Sequence, residues 1–469
     1  MIKGLKPYAE YKESGIPWAG GVPAHWNIHL IRQIGLLLKG SGGSKADNVD
    51  EGLPCVRYGQ LYTKYRGFIN APKSFIRHSQ AAQYTAIQYG DVLFAASGEK
   101  VDEIGKSAVN LMRTAAVCGG DVIILRPRMD AYPPFLGYAL DSYASAGQKA
   151  TMCRGSTIKH VYPDELRLLA VSFPPPDEQT AIVRFLDHAN RKIDGFIRVK
   201  RKLIRLLNEQ KQAIVHRAVT RGLHPDVPLK PSGIPWLGDI PKHWDVLRAK
   251  YVFREVDERS KTGNEEQLSV SHLTGVTPRS QKNVSMFKAE SYVGHKVCRP
   301  GDLAVNTMWA WMAALGVSKH LGIISPAYAV YRQRTPERLL PDFADHLLRI
   351  SSYKLNYLSR STGLRASRLR LYPDEFFEIP IIIPQKEEQQ QIVDSITVET
   401  AALTTAMART EREIALMQEY RTRLTADLVT GKLDVREASG HLPALPSDTS
   451  TEPHVDEALE DLATEDVDA

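Results

Sequence analysis

Long apolar runs are missing from this 469-residue sequence, and cysteine is scarce. No stretch of about 18 apolar residues occurs, which excludes a membrane-spanning helix. The opening MIKGLKPYAEYKESG has no apolar centre of the secretory kind, so a soluble cytoplasmic protein is expected. Cys55, Cys118, Cys153 and Cys298 stand without paired spacing, which argues against a disulfide framework and a zinc knuckle and predicts reduced thiols. Nucleotide and metalloprotease signatures are absent too: no Gly-x-Gly-x-x-Gly follows a predicted strand, and no His-Glu-x-x-His occurs. Gly105-Lys106-Ser107 ends like a phosphate-binding loop, but Lys100 stands where such a turn needs its first glycine. No metal, nucleotide or S-adenosylmethionine site is therefore expected in this chain.

Acidic residues are unevenly spread. Nine of the 54 lie after residue 439, where no Lys or Arg occurs, so residues 1–439 hold 60 basic against 45 acidic residues, a net +15. A basic body suits a polyanionic partner, although solubility alone also accounts for it. The acidic stretch has the composition of a disordered, solvating tail; imitating DNA or touching another subunit are its alternatives. The length itself calls for several domains.

The chain repeats itself. Ser14-Gly15-Ile16-Pro17-Trp18 with Gly20, Pro23, His25 and Trp26 recurs as Ser232-Gly233-Ile234-Pro235-Trp236 with Gly238, Pro241, His243 and Trp244, at an offset of 218. Gly90-Asp91 matches Gly301-Asp302 and Gly105 matches Gly316 at 211, while Tyr162-Pro163-Asp164-Glu165 and Glu178-Gln179 match Tyr372-Pro373-Asp374-Glu375 and Glu388-Gln389 at 210. Between these anchors few residues agree. A period above 200 is too long for a solenoid and reads as two domains on one plan. The recurring tryptophans suggest a shared structural clamp. The Asp-Glu pairs after Tyr-Pro read as turn residues rather than as acid/base catalysts.

Each half shows the same coarse order: a strand (Val92 to Ala96; Leu303 to Val305), a second strand (Val122 to Leu125; Tyr328 to Tyr331), a helix after Pro134 or Pro341, and a third strand (Leu168 to Phe173; Ile379 to Ile383). A long helix then follows, to about Gly222 in the first half and Gly431 in the second, with proline before and glycine after as punctuation. Val183, Leu186, Asn190, Ile193, Ile197, Lys200, Ile204, Leu207, Lys211, Ile214 and Ala218 follow heptad spacing. Adding 210 gives Val393, Ile396, Thr400, Leu403, Met407, Thr410, Ile414, Met417, Arg421, Leu424 and Leu428. Both seams are apolar with polar breaks at the same three places, the pattern of helices that pair in a fixed register. Packing of each helix on its own domain is the alternative. An antiparallel pair about 60 Å long would hold two domains more than one turn of B-DNA apart.

The SGIPWLG-like and IPxHW-like segments, the Gly-Asp before a strand, the Pro-Pro-x-x-Glu-Gln-like helix start and the linker His224 to Trp236 together resemble the specificity subunit of type I restriction-modification systems. The resemblance covers residues 8 to about 436. Lys386-Glu387-Glu388-Gln389 departs from Pro176-Asp177-Glu178-Gln179, so the second helix start is expected to be less regular. The resemblance implies an α+β fold with two mixed α/β target-recognition domains, separated by a pair of long antiparallel coiled-coil helices and related by internal duplication. Its boundaries fall at 1–175 and 223–385 for the domains, 176–222 and 386–436 for the helices, and 437–469 for the tail. It implies no catalysis in this chain. Double-stranded DNA, two methyltransferase subunits and restriction/translocase subunits are the implied partners, with S-adenosylmethionine, ATP and Mg on those partners and no membrane involved. A coiled-coil scaffold with incidental basic charge, and an enzyme acting on DNA alone, are the rival readings.

If DNA is the partner, phosphate contacts need Lys and Arg, and base readout needs side chains that reach groove edges. The candidates are Lys73, Arg77, Lys100, Lys106, Arg154, Ser156, Thr157 and Lys159 in the first half. In the second they are Arg279, Lys282, Lys319, Arg365, Ser367, Arg368 and Arg370. The segment before each Tyr-Pro-Asp-Glu ranks highest, because its basic and hydroxyl character recurs. Ile193, Ile197, Leu207, Ile214, Leu403, Met407, Met417 and Leu424 are the candidates for helix pairing or partner contact. Trp309 and Trp311 alternate, which fits packing along a strand or loop better than stacking on an extruded base. Tyr132-Pro133-Pro134-Phe135 is similar to an amino-methyltransferase motif, but Tyr132 lacks the carboxamide or carboxylate that holds the amine, so a helix-starting turn is expected.

Overall fold

A computed structural model describes residues 5–15, 20–43, 45–100, 103–155, 159–282, 291–363 and 369–443. Trp18 and the acidic tail beyond residue 443 lie outside them. The described residues form two compact units, one of residues 5–200 with 412–443 and the other of residues 201–411. Each unit therefore takes part of both long helices, Pro176–Arg221 and Lys386–Val429.

In unit 1 the central sheet runs Gly35–Lys39, Val122–Pro127, Val92–Ala95, Ser107–Asn110, Gly67–Ile69. Its pairs are antiparallel except the last, which is parallel. In unit 2 the corresponding sheet runs Phe253–Glu255, Ala329–Gln333, Leu303–Val305, Leu315–Val317, all antiparallel. The order is the same, less the fifth strand. Val92, Leu93, Phe94 and Ala95 are all buried, as are Leu303, Ala304 and Val305. Such runs suit a strand covered on both faces, which is why period-two alternation is absent from them.

A separate antiparallel pair joins the front and back of each unit. Asn27–Leu30 lies against Ala170–Phe173 in unit 1, and Asp245–Arg248 against Pro380–Ile383 in unit 2. Asn27 faces Phe173 and Asp245 faces Ile383, so the front keeps the offset of 218 and the back that of 210. The eight residues lost by the second half come from the body between.

The ladders correct one match made on residue identity. Phe94 pairs with Ser107, and Val305 with Leu315. The backbone N–H of Ala95 donates to Lys106 O, and that of Asn306 to Ala314 O. Gly105 therefore corresponds to Ala313, not to Gly316, and the hairpin loop of unit 2 is shorter. Both residues sit in the left-handed region, Gly105 at φ +65° and Ala313 at φ +64°, a conformation glycine adopts freely and alanine only under constraint.

Within each unit the two long helices run antiparallel. In unit 1 Asp194 pairs with Arg421, and Lys200 Nζ lies 2.6 Å from Glu413 Oε2. In unit 2 Lys211 Nζ donates to Thr404 Oγ1 at 3.1 Å, and Arg217 Nη2 lies 3.3 Å from Glu399 Oε2. Three of the polar seam residues, Lys200, Lys211 and Arg421, thus have a partner on the facing helix. No seam position is exposed. The second helix start is as regular as the first: Gln389 Nε2 donates to Pro384 O at 2.9 Å, as Gln179 Nε2 does to Pro174 O at 2.9 Å. Gln389 supplies the anchor, so the missing proline costs no regularity. Among the described residues no helix is long and apolar enough to cross a membrane.

Candidate nucleic-acid interface

Two clamps hold each unit rigid around its loops. The first explains the His-Trp and Glu-Gln anchors. Glu178 accepts hydrogen bonds from Tyr8 OH at 3.0 Å, His25 Nε2 at 2.7 Å and Trp26 Nε1 at 2.9 Å. Glu388 accepts from His243 Nε2 at 2.7 Å and Trp244 Nε1 at 3.0 Å. Trp26 and Trp244 are wholly buried, so the carboxylate satisfies an indole N–H that would otherwise have no water. Gln179 Oε1 accepts from the N–H of Tyr132, and Gln389 Oε1 from that of Leu340. These are the residues before the helices Pro133–Leu140 and Pro341–Leu348, so Tyr132-Pro133-Pro134-Phe135 is a helix-starting turn.

The second clamp explains Gly-Asp. Asp91 is held bidentately by Arg126 at 3.0 and 2.7 Å, and Asp302 by Arg332 at 2.7 and 2.7 Å. Both aspartates are 1% exposed. A buried, two-pronged pair of this kind fixes the strand turn geometrically.

Each unit also brings two loops together. The hairpin loop after Val92–Ala95 forms the short strand Ser97–Gly98, which pairs with Lys159–His160. Arg154 and His160 exchange both backbone hydrogen bonds, at 2.9 and 2.7 Å, pinning the stem of the loop between them. Unit 2 repeats this: Thr362 and Arg370 exchange theirs at 3.0 and 2.9 Å, and Leu371 N–H donates to Thr307 O as Val161 N–H does to Ala96 O. In unit 1 the hairpin and the pinned loop thus pair as strands, and in unit 2 a backbone hydrogen bond ties the hairpin to the end of the pinned stem. Their chemistry differs: Lys100 lies in the first hairpin, whereas the second carries Trp309 and Trp311. The two indoles stack at 5.7 Å and 21°. They lie in and beside a tight turn, Ala310–Met312, rather than along a strand, and Trp311 Nε1 donates to Met308 O at 3.1 Å.

The basic and hydroxyl candidates are dispersed. Ser156, Thr157, Arg365, Ser367 and Arg368 lie outside the described residues. Lys100 is exposed on the hairpin, and Lys159, opposite Gly98, donates its Nζ to Gly155 O at 2.9 Å. Arg154 lies 2.7 Å from Glu165 with most of its side chain exposed, and Arg360 lies 3.0 Å from Glu375. Lys106 faces Asp141 at 3.4 Å and Lys319 faces Asp342 at 2.6 Å. Arg279 bonds Gln267 and Lys282 bonds Ser269, both beside the Leu268–Ser271 hairpin. Lys73 and Arg77 are exposed on either side of the strand Phe75–Ile76, and Arg370 is half-buried in the pinned stem. Ile193, Ile197 and Leu424 are buried, and Leu207, Ile214, Leu403, Met407 and Met417 half-buried. Sequence reasoning passed over Lys39, Ser97, His160, Tyr162 and Tyr372 at the loop edge. An aromatic beside proline in both halves was the available signal for the last two.

Lys149 supports the first hairpin from beneath. It is 2% exposed, and its Nζ donates to Gly105 O at 2.6 Å and Leu140 O at 2.7 Å. Burial pushes its ammonium down to about 8, against about 10.4 for a free lysine. Between those values this lysine holds more protons in the unfolded chain than in the folded one, so its own contribution to stability should rise with pH across that window and be flat below it. Burial also pushes the thiols of Cys55, Cys118 and Cys298 up, to about 11, about 12 and about 12, against about 8.5 for a free cysteine, so these three lose stability as pH rises through the same window and together outweigh the lysine. Melting curves from about pH 7.5 to 9.5 should therefore fall for the parent and fall more steeply for Lys149→Met, which lacks the opposing gain; equal slopes would show that Lys149 makes no pH-dependent contribution.

No family model matches the sequence. A chain solved in work on complex assembly and conformational transition of the type I R-M system shares the fold: TM-score 0.59 at 17% identity, covering 88% of this chain and 99% of that one. An HsdS subunit from Thermoanaerobacter tengcongensis aligns over 88% of this chain and 98% of its own, at 19% identity and TM-score 0.39. A type I restriction-modification S subunit from M. genitalium aligns over 86% and 96%, at 13% identity and TM-score 0.33.

Proposed function

We propose that this chain is the DNA-specificity subunit of a type I restriction-modification assembly. Each unit reads one half of a two-part site in double-stranded DNA through its hairpin and pinned loop. The two long helices carry the docking surfaces for two methyltransferase subunits, and restriction subunits join that complex in the cytoplasm. Methyl transfer and cleavage, with S-adenosylmethionine, ATP and Mg, reside on those partners.

One observation carries this reading: the same two clamps and the same pinned stem recur around loops of unlike chemistry. Matching frames with different loops suit two readers of different short sequences better than one continuous surface or a plain scaffold. Side chains on such loops can reach base edges while the frame sets the pose.

Footprinting of the complex with its methyltransferase partner tests it. Two short protected segments with an unread gap between them are expected, at affinities that fall steeply with salt. One continuous segment, or none, would contradict the proposal, and methyl transfer by the isolated chain would replace it with the enzyme reading.

A further inference from the structure

Most anchors repeated between the two units are buried, as Trp26, Trp244, Asp91, Asp302, Gln179 and Gln389 are. Tyr162 and Tyr372 are not: they expose 51% and 50% of their surface. Each follows the residue that bonds the hairpin, Val161 or Leu371, and each opens the Pro-Asp-Glu turn from an extended backbone. Among the described residues neither hydroxyl has a hydrogen-bond partner. A frame residue kept twice, facing solvent at the edge of the reading loops, has no packing role that explains its phenol.

The surroundings in unit 1 indicate what the hydroxyl meets. The Tyr162 ring stacks on His160 at 6.4 Å and 29°. His160 is oriented by Ser97, whose Oγ lies 2.9 Å from its Nδ1. Tyr162 stands at the rim of a cleft of about 60 Å³, lined also by Lys39, Ser97, Asp121 and His160. The Asp121 carboxylate makes the cleft itself a poor anion hole. By the ladders, Lys39 corresponds to Asp257 in unit 2, which pairs with Arg259. The cation is thus not shared between the units, whereas the tyrosine is.

A contact that must work for any base sequence can be the same in both units; a contact that reads bases cannot. The geometry points to Tyr162 and Tyr372 as one matched contact per unit, each hydroxyl donating to a phosphate oxygen of the DNA backbone beside the half-site its unit reads. A neutral hydroxyl is a common donor to phosphate and carries no sequence information. This inference rests on the DNA-reading proposal above.

The test uses the full chain with its methyltransferase partner and duplexes carrying single methylphosphonates in place of phosphates. Tyr162→Phe and Tyr372→Phe keep the ring, so the melting midpoint should not move. Each is expected to weaken binding about tenfold, the loss of one hydrogen bond to a charged oxygen. The loss should be equal on the cognate duplex and on duplexes altered at one base pair. In the parent, one phosphate in each half-site should be sensitive to neutralisation. Tyr162→Phe should abolish that sensitivity in one half-site only, and Tyr372→Phe in the other. Unchanged affinity, a changed base preference, or loss of the partner with the phosphate pattern intact would each overturn the inference while leaving the reading of two half-sites standing. If the parent complex shows no two-part footprint, both fall together.

Discussion

Glu178→Ala should lower the unfolding midpoint of unit 1 by about 10 °C, and Glu388→Ala that of unit 2 by about half as much. Both carboxylates sit at the start of a long helix and hold a buried tryptophan. Glu178 serves three donors, Tyr8, His25 and Trp26, and lies 3.5 Å from Arg436, with its side chain 8% exposed. Glu388 serves two donors and is 20% exposed. Removing an acceptor from a buried donor costs roughly 1–3 kcal/mol, and the cost grows with each donor left without a partner. About 4 kcal/mol for unit 1 and about 2 for unit 2 follow, and a unit of this size loses roughly 2–4 °C per kcal/mol. Calorimetry of the full chain, with hydrogen exchange over residues 21–30 and 239–248 to assign each transition, reads both numbers. Equal shifts, or the reverse order, would show that the clamp is not what holds the helix starts.

The parts of the fold legible in the sequence are those fixed by short-range chemistry. His25-Trp26 and His243-Trp244 stand out because few residues serve a buried carboxylate, and the three-four spacing of the seams is the direct print of a helix with one covered face. Strands without alternation were still located, because Gly90-Asp91 and Gly301-Asp302 mark their starts. Identity misled at Gly105: the backbone requires a left-handed residue, and Ala313 supplies it where sequence comparison sees only the glycine three residues further on. Two tryptophans separated by one residue fit a strand or a turn equally well, and the shortened hairpin decides for the turn.

The candidate interface was less legible for a different reason. The sequence reveals Lys and Arg but not their partners. Lys106 meets Asp141 and Lys319 meets Asp342 across elements distant in the chain, so these charges support structure as much as they face outward. Conversely, Tyr162 and Tyr372 look like turn residues until their exposure is seen. The link from the hairpin to the pinned stem, a short ladder in unit 1 and one backbone hydrogen bond in unit 2, is long-range and no local pattern encodes it.

Exchange of one unit's body tests the central claim most directly. Asn27–Leu30 and Ala170–Phe173 form the joint between body and frame, so residues 31–169 can be replaced by the matching segment of a relative that recognises a different first half-site. Glu178, both long helices and unit 2 remain untouched. With the methyltransferase partner present, the hybrid should lose the parental first half-site, keep the second, and adopt the donor's first half-site at the same spacing. Each mismatched base pair costs about 1–3 kcal/mol, so three altered positions should shift preference by roughly a thousandfold or more. Methylation mapping across a genome, read beside the footprint, measures this. A change confined to one half-site is the predicted result; a change in both, or a hybrid that binds its partner and still selects the parental site, would contradict two independent readers on one duplicated frame.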